Sequence, residues 1–426
     1  MKRRRVGVVA AVWAAALVAL ALLNAAMPMA RAAESPAVQA DAPAQNSVEW
    51  TVNSDTFESV YPDGFVVTLD ASSPAGPIER ASLIWNRPTQ RAGETMSIFR
   101  QTGEIDPASG QIIASWQPDD TMMLPPWSQL AYHWELRDSE GNVLKTDPVV
   151  VDYADNTRDW QRSESDDAVV YAEGLTGDIE SVVLDAMAEQ HDKYVAVWGA
   201  PLPYKPRIVL FGDFDAWLEW RTADHNTSET QYVVGQTFDA WGVVAQVLLD
   251  EGNLDAAYRD LAYGTVVHEI EHLYQAEYLW PQRRLYDIPG WFVEGDASFF
   301  ELGPSYDYLG RVQDMARSGQ LPPLLVGVSD GPRIDGETPR DGYDIGYSFA
   351  VWLAEENGGL EAYNELMAQL ADNVPFFDAL ESVTGMSSVQ EIERAWRTWL
   401  GASGDAATLV PTWTPAALPM FATPTP

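Results

Sequence analysis

Two rhythms of apolar and polar positions divide the chain. From Val48 to about Asp155 the apolar residues come in short runs broken by turn formers. Phe65–Leu69, Ala81–Trp85, Ile112–Trp116, Leu130–Leu136 and Val149–Val151 read as strands. Pro62-Asp63-Gly64, Pro74-Ala75-Gly76-Pro77, Pro107-Ala108-Ser109-Gly110 and Asp138-Ser139-Glu140-Gly141-Asn142 punctuate them. Strands at such spacing predict a β-sandwich of immunoglobulin-like type over 48–155. This stretch holds one histidine and no cluster of reactive side chains, so it reads as a structural or docking module. From about Asn156 the apolar spacing lengthens to a helical period. Helices are predicted over Thr176–Trp198, Asp255–Trp280, Trp291–Phe300, Tyr347–Glu356, Leu360–Leu370, Phe376–Thr384 and Val389–Leu400, with buried strands at Arg207–Phe211 and Gly242–Leu249. The second strand is a candidate sheet edge, open to an extended peptide.

The ends of the chain follow neither rhythm. Met1–Arg5 is basic, Val6–Leu23 is an uncharged apolar run, and Ala30-Arg31-Ala32 offers small residues for cleavage, so 1–32 reads as a signal peptide. An uncleaved N-terminal membrane anchor is the alternative for the same segment. Both place the remainder outside the cytoplasm, secreted or held at the membrane. Residues 33–47 are an Ala/Pro/Ser-rich linker, and 403–426 a Pro/Thr-rich tail expected to be disordered.

Charge and cysteine content narrow the chemistry. The formal net charge is −37, a surface that repels phosphate backbones, so nucleic acid is excluded as a partner. With no cysteine in the chain, disulfides, thiol nucleophiles and thiolate metal sites are excluded as well. The acidic run Glu164–Asp167 lacks the loop glycine and spaced ligands of a calcium loop and reads as solvated linker. His191 and His225 sit in polar stretches and read as surface residues, and Asn226-Thr227-Ser228 is a glycosylation sequon.

The remaining chemistry is concentrated at His268-Glu269-Ile270-Glu271-His272, an H-E-x-x-H pattern in a chain with only five histidines. On a helix, residues i and i+4 lie on one face, so both imidazoles can reach a single zinc ion. The glutamate beside the first histidine can take a proton from a water on that ion. A catalytic zinc needs a third protein ligand. No histidine follows His272, so a carboxylate must serve. Glu294, 22 residues on, lies in Pro289-Gly290-Trp291-Phe292-Val293-Glu294-Gly295, where a Pro-Gly turn opens a helix and Gly295 permits close approach to the metal helix. Glu277, Asp287, Asp296 and Glu301 compete with it.

His268–His272 with Trp291-x-x-Glu294-Gly295-x-Ala297 resembles the gluzincin zinc peptidases, and most of all the bacterial peptidase-MA-like domain. The strand and turn at Tyr132–Asn142 resemble the end of the β domain preceding such peptidases. Tyr343-x-x-x-Tyr347 with Ser348–Leu353 resembles the helix after their active site. The resemblance implies a thermolysin-like α+β catalytic domain over 156–402 and one Zn²⁺ per chain on His268, His272 and Glu294. It further implies Glu269 as general base and hydrolysis of a peptide or protein substrate. Tyr343 and Tyr347 are candidate donors to the developing oxyanion, and Ser298 a candidate hydrogen-bond partner of a ligating histidine. Glu271 and Asp296 stand where the family carries a small polar residue and a leucine. A surface binding protein with an idle zinc site is the alternative. Oligomeric state is not legible in the sequence.

Overall fold

The computed structural model describes residues 48–88, 98–119, 123–221, 235–248, 254–279, 288–325 and 340–403. Residues 1–32 and 33–47, read from the sequence as signal peptide and linker, lie outside the described residues, as do His225, the sequon, Trp280, Asp287 and the chain beyond 403. Backbone proximity gathers the chain into two compact units, Met1–Leu285 with Phe300–Ser305, and Tyr286–Phe299 with Tyr306–Pro426. The N-terminal part is rich in sheet and the C-terminal part is helical.

The first unit begins with nine strands: β1 (Thr51–Ser59), β2 (Phe65–Ser72), β3 (Ile78–Asn86), β4 (Phe99–Thr102), β5 (Glu104–Ile105), β6 (Ile112–Trp116), β7 (Gln129–Asp138), β8 (Val143–Lys145) and β9 (Val149–Asp152). They form two antiparallel sheets, β1-β2-β6-β5 and β4-β3-β7-β8, with β9 also on β7. Burial alternates along β2, β6 and β7, as period-two side chains on a half-covered sheet require. The inward residues of both sheets share one apolar core, where Phe65 meets Trp85 edge-on at 5.1 Å and Trp85 meets Trp116 at 5.3 Å.

A third, mixed sheet follows. It comprises β10 (Gln161–Glu164), β11 (Val169–Glu173), β12 (Arg207–Phe211), β13 (Gly235–Phe238) and β14 (Val243–Val247), in the order β10-β11-β12-β14-β13. Strands β11, β12 and β14 run parallel and are buried at every position, because the sheet is covered on both faces. Val209, Val243 and Ala245 face the apolar core shared with the sandwich. The strand read from the sequence at Gly242–Leu249 is, in its described part β14, interior and not an edge: the edge next to it is β13. Its run is apolar but for Gln246, without the alternation of a strand that has one face in solvent, and it is buried at every position from Val243 to Val247.

Four helices and a π turn follow among the described residues of the first unit: α1 (Ile179–Trp198), α2 (Phe214–Glu219), α3 (Leu254–Asp260), the π turn Leu261–Val266, and α4 (Val267–Leu279). Helix α1 stops at Gly199, whose φ of 79° only glycine adopts without strain, and the Gly199 N–H caps the Val195 carbonyl. The single long helix expected over Asp255–Trp280 is thus interrupted by a π turn just before the H-E-x-x-H segment, an irregularity often found at functional sites. Tyr194 Oη on α1 donates to the Val267 carbonyl at 2.7 Å and braces the start of α4.

The second unit is helical: α5 (Gly290–Phe300), α6 (Tyr308–Ser318), α7 (Arg340–Glu356), α8 (Gly359–Ala371), α9 (Phe376–Thr384) and α10 (Val389–Trp399). Trp291 packs edge-on against Phe349 of α7 at 5.4 Å and Phe376 of α9 at 6.0 Å. A Cβ on Gly295 would lie 2.2 Å from the Gly346 carbonyl carbon, and one on Gly346 would lie 2.0 Å from the Trp291 carbonyl oxygen. Gly295, read from the sequence as allowing approach to the metal helix, has its nearest neighbours on α7 and permits the approach of α5 to that helix. No helix among the described residues is long and apolar enough to cross a membrane.

Candidate metal centre

Helix α4 places His268 and His272 one turn apart, their rings nearly perpendicular with centroids 5.0 Å apart. Both are buried, at 6% and 7% exposure, although histidines on a solvated helix face would be open. Each ring is fixed by a hydrogen bond from its Nδ1. His268 donates to Glu301 Oε1 at 3.3 Å, and His272 donates to Gln275 Oε1 at 2.8 Å. Both acceptors are oxygens, so Nδ1 carries a proton, and in the neutral imidazole this leaves Nε2 with the lone pair that a metal requires.

Among the described residues one group of acids and histidines has ligand atoms close enough to hold a metal ion: His268, His272 and Glu294, all buried, with these atoms within 4.8 Å of one another. Donors about 2.1 Å from a tetrahedral zinc stand about 3.4 Å apart, so modest side-chain rotation closes this set on one ion. Two neutral imidazoles and one carboxylate match the donor chemistry of zinc. Of the competing carboxylates, Glu301 serves the outer nitrogen of His268, and Asp296 accepts a hydrogen bond from Tyr363 Oη at 2.7 Å. Glu277 is half-buried in α4.

Glu269, only 4% exposed, lies next to the first histidine. Its carboxylate Oε2 accepts from Thr237 Oγ1 at 2.6 Å, and its carbonyl accepts from the same hydroxyl at 2.9 Å. Glu271 is fully buried, and its carboxylate accepts from the indole Nε1 of Trp198 on α1 at 3.0 and 3.1 Å. The departure at Glu271 thus ties α4 to α1. Nearby, Tyr194 stacks on Tyr274 at 4.6 Å, and burial pushes the Tyr274 hydroxyl above its usual range, keeping it neutral.

The remaining sequence candidates have varied placements. Tyr343 is buried on α7, and Tyr347, half-buried one turn later, stacks on Tyr308 with centroids 4.8 Å apart. Ser298 is fully buried, but its Oγ makes no hydrogen bond among the described residues, so it does not hold a histidine. Gln275 and Glu301 do that work. Gln275 could have been found from its position three residues after His272 on one helix face. Glu301 and Thr237 gave no such sign. His191, expected at the surface, pairs through Nδ1 with Asp167 Oδ1 at 2.6 Å, and Glu164 of the acidic run meets Lys205 at 2.6 Å. The Lys205 and Arg162 partners hold the Glu164 carboxyl well below its usual range, at about 2.

No family model matches the chain, and no curated protein matches it. Among solved structures it is similar to the M1 zinc metallopeptidase of Deinococcus radiodurans, at 13% identity and a TM-score of 0.35, over 83% of this chain and 93% of that one. A mutant of that enzyme bound to a Tyr-Ser-Ala substrate aligns at 12% identity and a TM-score of 0.34, over 79% and 89% of the two chains. A purple acid phosphatase from yellow lupin aligns at 10% and 0.19, over 51% and 39%. Likenesses this slight carry no argument about this chain, and the chemistry rests on its own residues.

Proposed function

We propose that this protein is an exported zinc-dependent peptidase, with His268, His272 and Glu294 as metal ligands and Glu269 as general base. The observation that carries the reading is the burial of these two imidazoles and one carboxylate with their ligand atoms within 4.8 Å of one another, beside a second buried carboxylate. A purely structural site would have no use for Glu269. Bound there, zinc supplies Lewis-acid chemistry, acidifying a water and polarising a carbonyl. Glu269 accepts the proton of the attacking water and passes it to the departing amine. Glu301 and Gln275 hold the histidine tautomers that this chemistry needs. Tyr343 and Tyr347 are the proposed donors to the oxyanion. Export follows from the leader at 1–32. We read 48–155 as an immunoglobulin-like module and 156–402 as a thermolysin-like catalytic domain holding one zinc ion.

The test is metal analysis of the purified chain together with cleavage of a peptide library, with and without a chelator. About one zinc per chain and chelator-sensitive cleavage are expected. Glu269→Gln should keep the zinc and lose turnover by about 100-fold or more. Unchanged turnover in that variant, or protein that binds no zinc, would overturn the reading.

A further inference from the structure

Thr237 sits in a short edge strand that carries no recognisable motif, yet its hydroxyl contacts Glu269 twice. Strand β13 pairs antiparallel with β14, and Thr237 lies opposite Val244. Burial alternates along the strand, so that Gly235 and Thr237 are covered while Gln236 and Phe238 are half-covered. The covered face is the one that Thr237 presents to α4, where its Oγ1 lies 2.6 Å from Glu269 Oε2 and 2.9 Å from the Glu269 carbonyl. Both acceptors belong to one residue. A single hydroxyl thus stands against both the end of the Glu269 side chain and its backbone.

We propose that Thr237 is the positioning residue for the Glu269 base, an inference that rests on the peptidase reading above. Glutamate has three rotatable side-chain bonds, and burying such a chain in one rotamer costs up to about 2 kcal/mol of entropy. A base that must meet a particular water proton has to hold that rotamer before the water arrives. Thr237 has one proton to give. It goes to Oε2, the shorter of the two contacts. Oε1 is left as the oxygen that takes the proton: one water O–H bond breaks, one Oε1–H bond forms, and the freed electron pair on the water oxygen goes into the new bond to the substrate carbonyl carbon. The β-branch of threonine restricts χ1 in a strand, which fixes the direction of the hydroxyl itself.

Packing and hydrogen bonding are separable at this position. Thr237→Val keeps the shape and removes the hydroxyl, and Thr237→Ser keeps the hydroxyl and removes a methyl. In the full-length zinc-loaded protein, T237V should lower kcat by about 10- to 100-fold, the range seen when a residue that orients an active group is removed. KM should move by less than about twofold. Zinc affinity, read by chelator competition, should not change, and T237S should recover most of kcat. Crystals of metal-free T237V should show the Glu269 side-chain torsions displaced from those of the parent. The parent's own turnover decides the peptidase reading, while the metal-free crystals test the positioning role whatever that turnover is. The proposal falls if T237V keeps kcat within about threefold of the parent. It also falls if T237S and T237V lose activity equally, or if the Glu269 torsions are unmoved.

Discussion

At the scale of single residues, the two buried acids that differ from the gluzincin pattern the sequence resembles each have a partner. Glu271 is met by Trp198, and Asp296 by Tyr363. A buried carboxylate without such donors would cost several kcal/mol. Gly295 is governed by a different term. Helix propensity alone would favour alanine there by about 0.8–1.0 kcal/mol. A Cβ at that place would stand 2.2 Å from the Gly346 carbonyl carbon, a backbone atom that no side-chain rotation can move away. The clash should win. Gly295→Ala is expected to destabilise the second unit by about 1–3 kcal/mol, seen as a lower urea midpoint. A midpoint at or above the parent's would show that α5 and α7 separate at little cost.

At the scale of elements, the strands and helices with a clear rhythm were found in the sequence. Ile112–Trp116, Arg207–Phe211 and Phe376–Thr384 match β6, β12 and α9 end to end. Elements with weak rhythm were not found, among them β1, β11, α6 and the edge strand β13. The segment Leu321–Leu325 has no regular structure of its own, and side chains of α10 bond four of its backbone groups. Glu393 accepts from the Leu324 and Leu325 N–H groups at 3.2 and 3.0 Å. Arg397 binds Glu393 at 2.9 Å and donates to the Leu321 and Pro322 carbonyls at 3.2 and 2.7 Å. Both side chains are almost wholly buried. Arg397→Met should therefore cost about 3–5 kcal/mol, because it strands the Glu393 charge in the interior. The thermal midpoint should fall, and protease sensitivity should rise around Leu321–Leu325. An unchanged midpoint would mean that water reaches Glu393 and replaces the guanidinium.

At the scale of the whole molecule, a net charge of −37 without any disulfide sets the balance. Self-repulsion among so many carboxylates opposes compaction, and salt screens it over about 10 Å at 0.1 M. Raising NaCl at pH 7 should raise the thermal midpoint. A fall would mean that the ion pairs, such as Arg100 with Glu135 at 3.1 Å, outweigh the general repulsion. Surface pairs of this kind contribute about 0–1 kcal/mol each, which is why repulsion is expected to dominate.

The pairing of His268 with His272, and the place of Glu269 beside them, depend only on the 3.6-residue turn of a helix. Composition and rhythm therefore determined that much, together with the two-part division into sheet-rich and helical regions. Other features arise from contacts between residues far apart in the chain. Thr237 and Glu269 are 32 residues apart, and His268 and Glu301 are 33 apart. Whether Gly242–Leu249 lies inside a sheet or at its edge depends on which strand pairs beside it. Periodicity reports which side of an element is buried but not what buries it, so the edge strand, the partner of Gly295 and the holders of the two imidazoles were decided only when the chain packed.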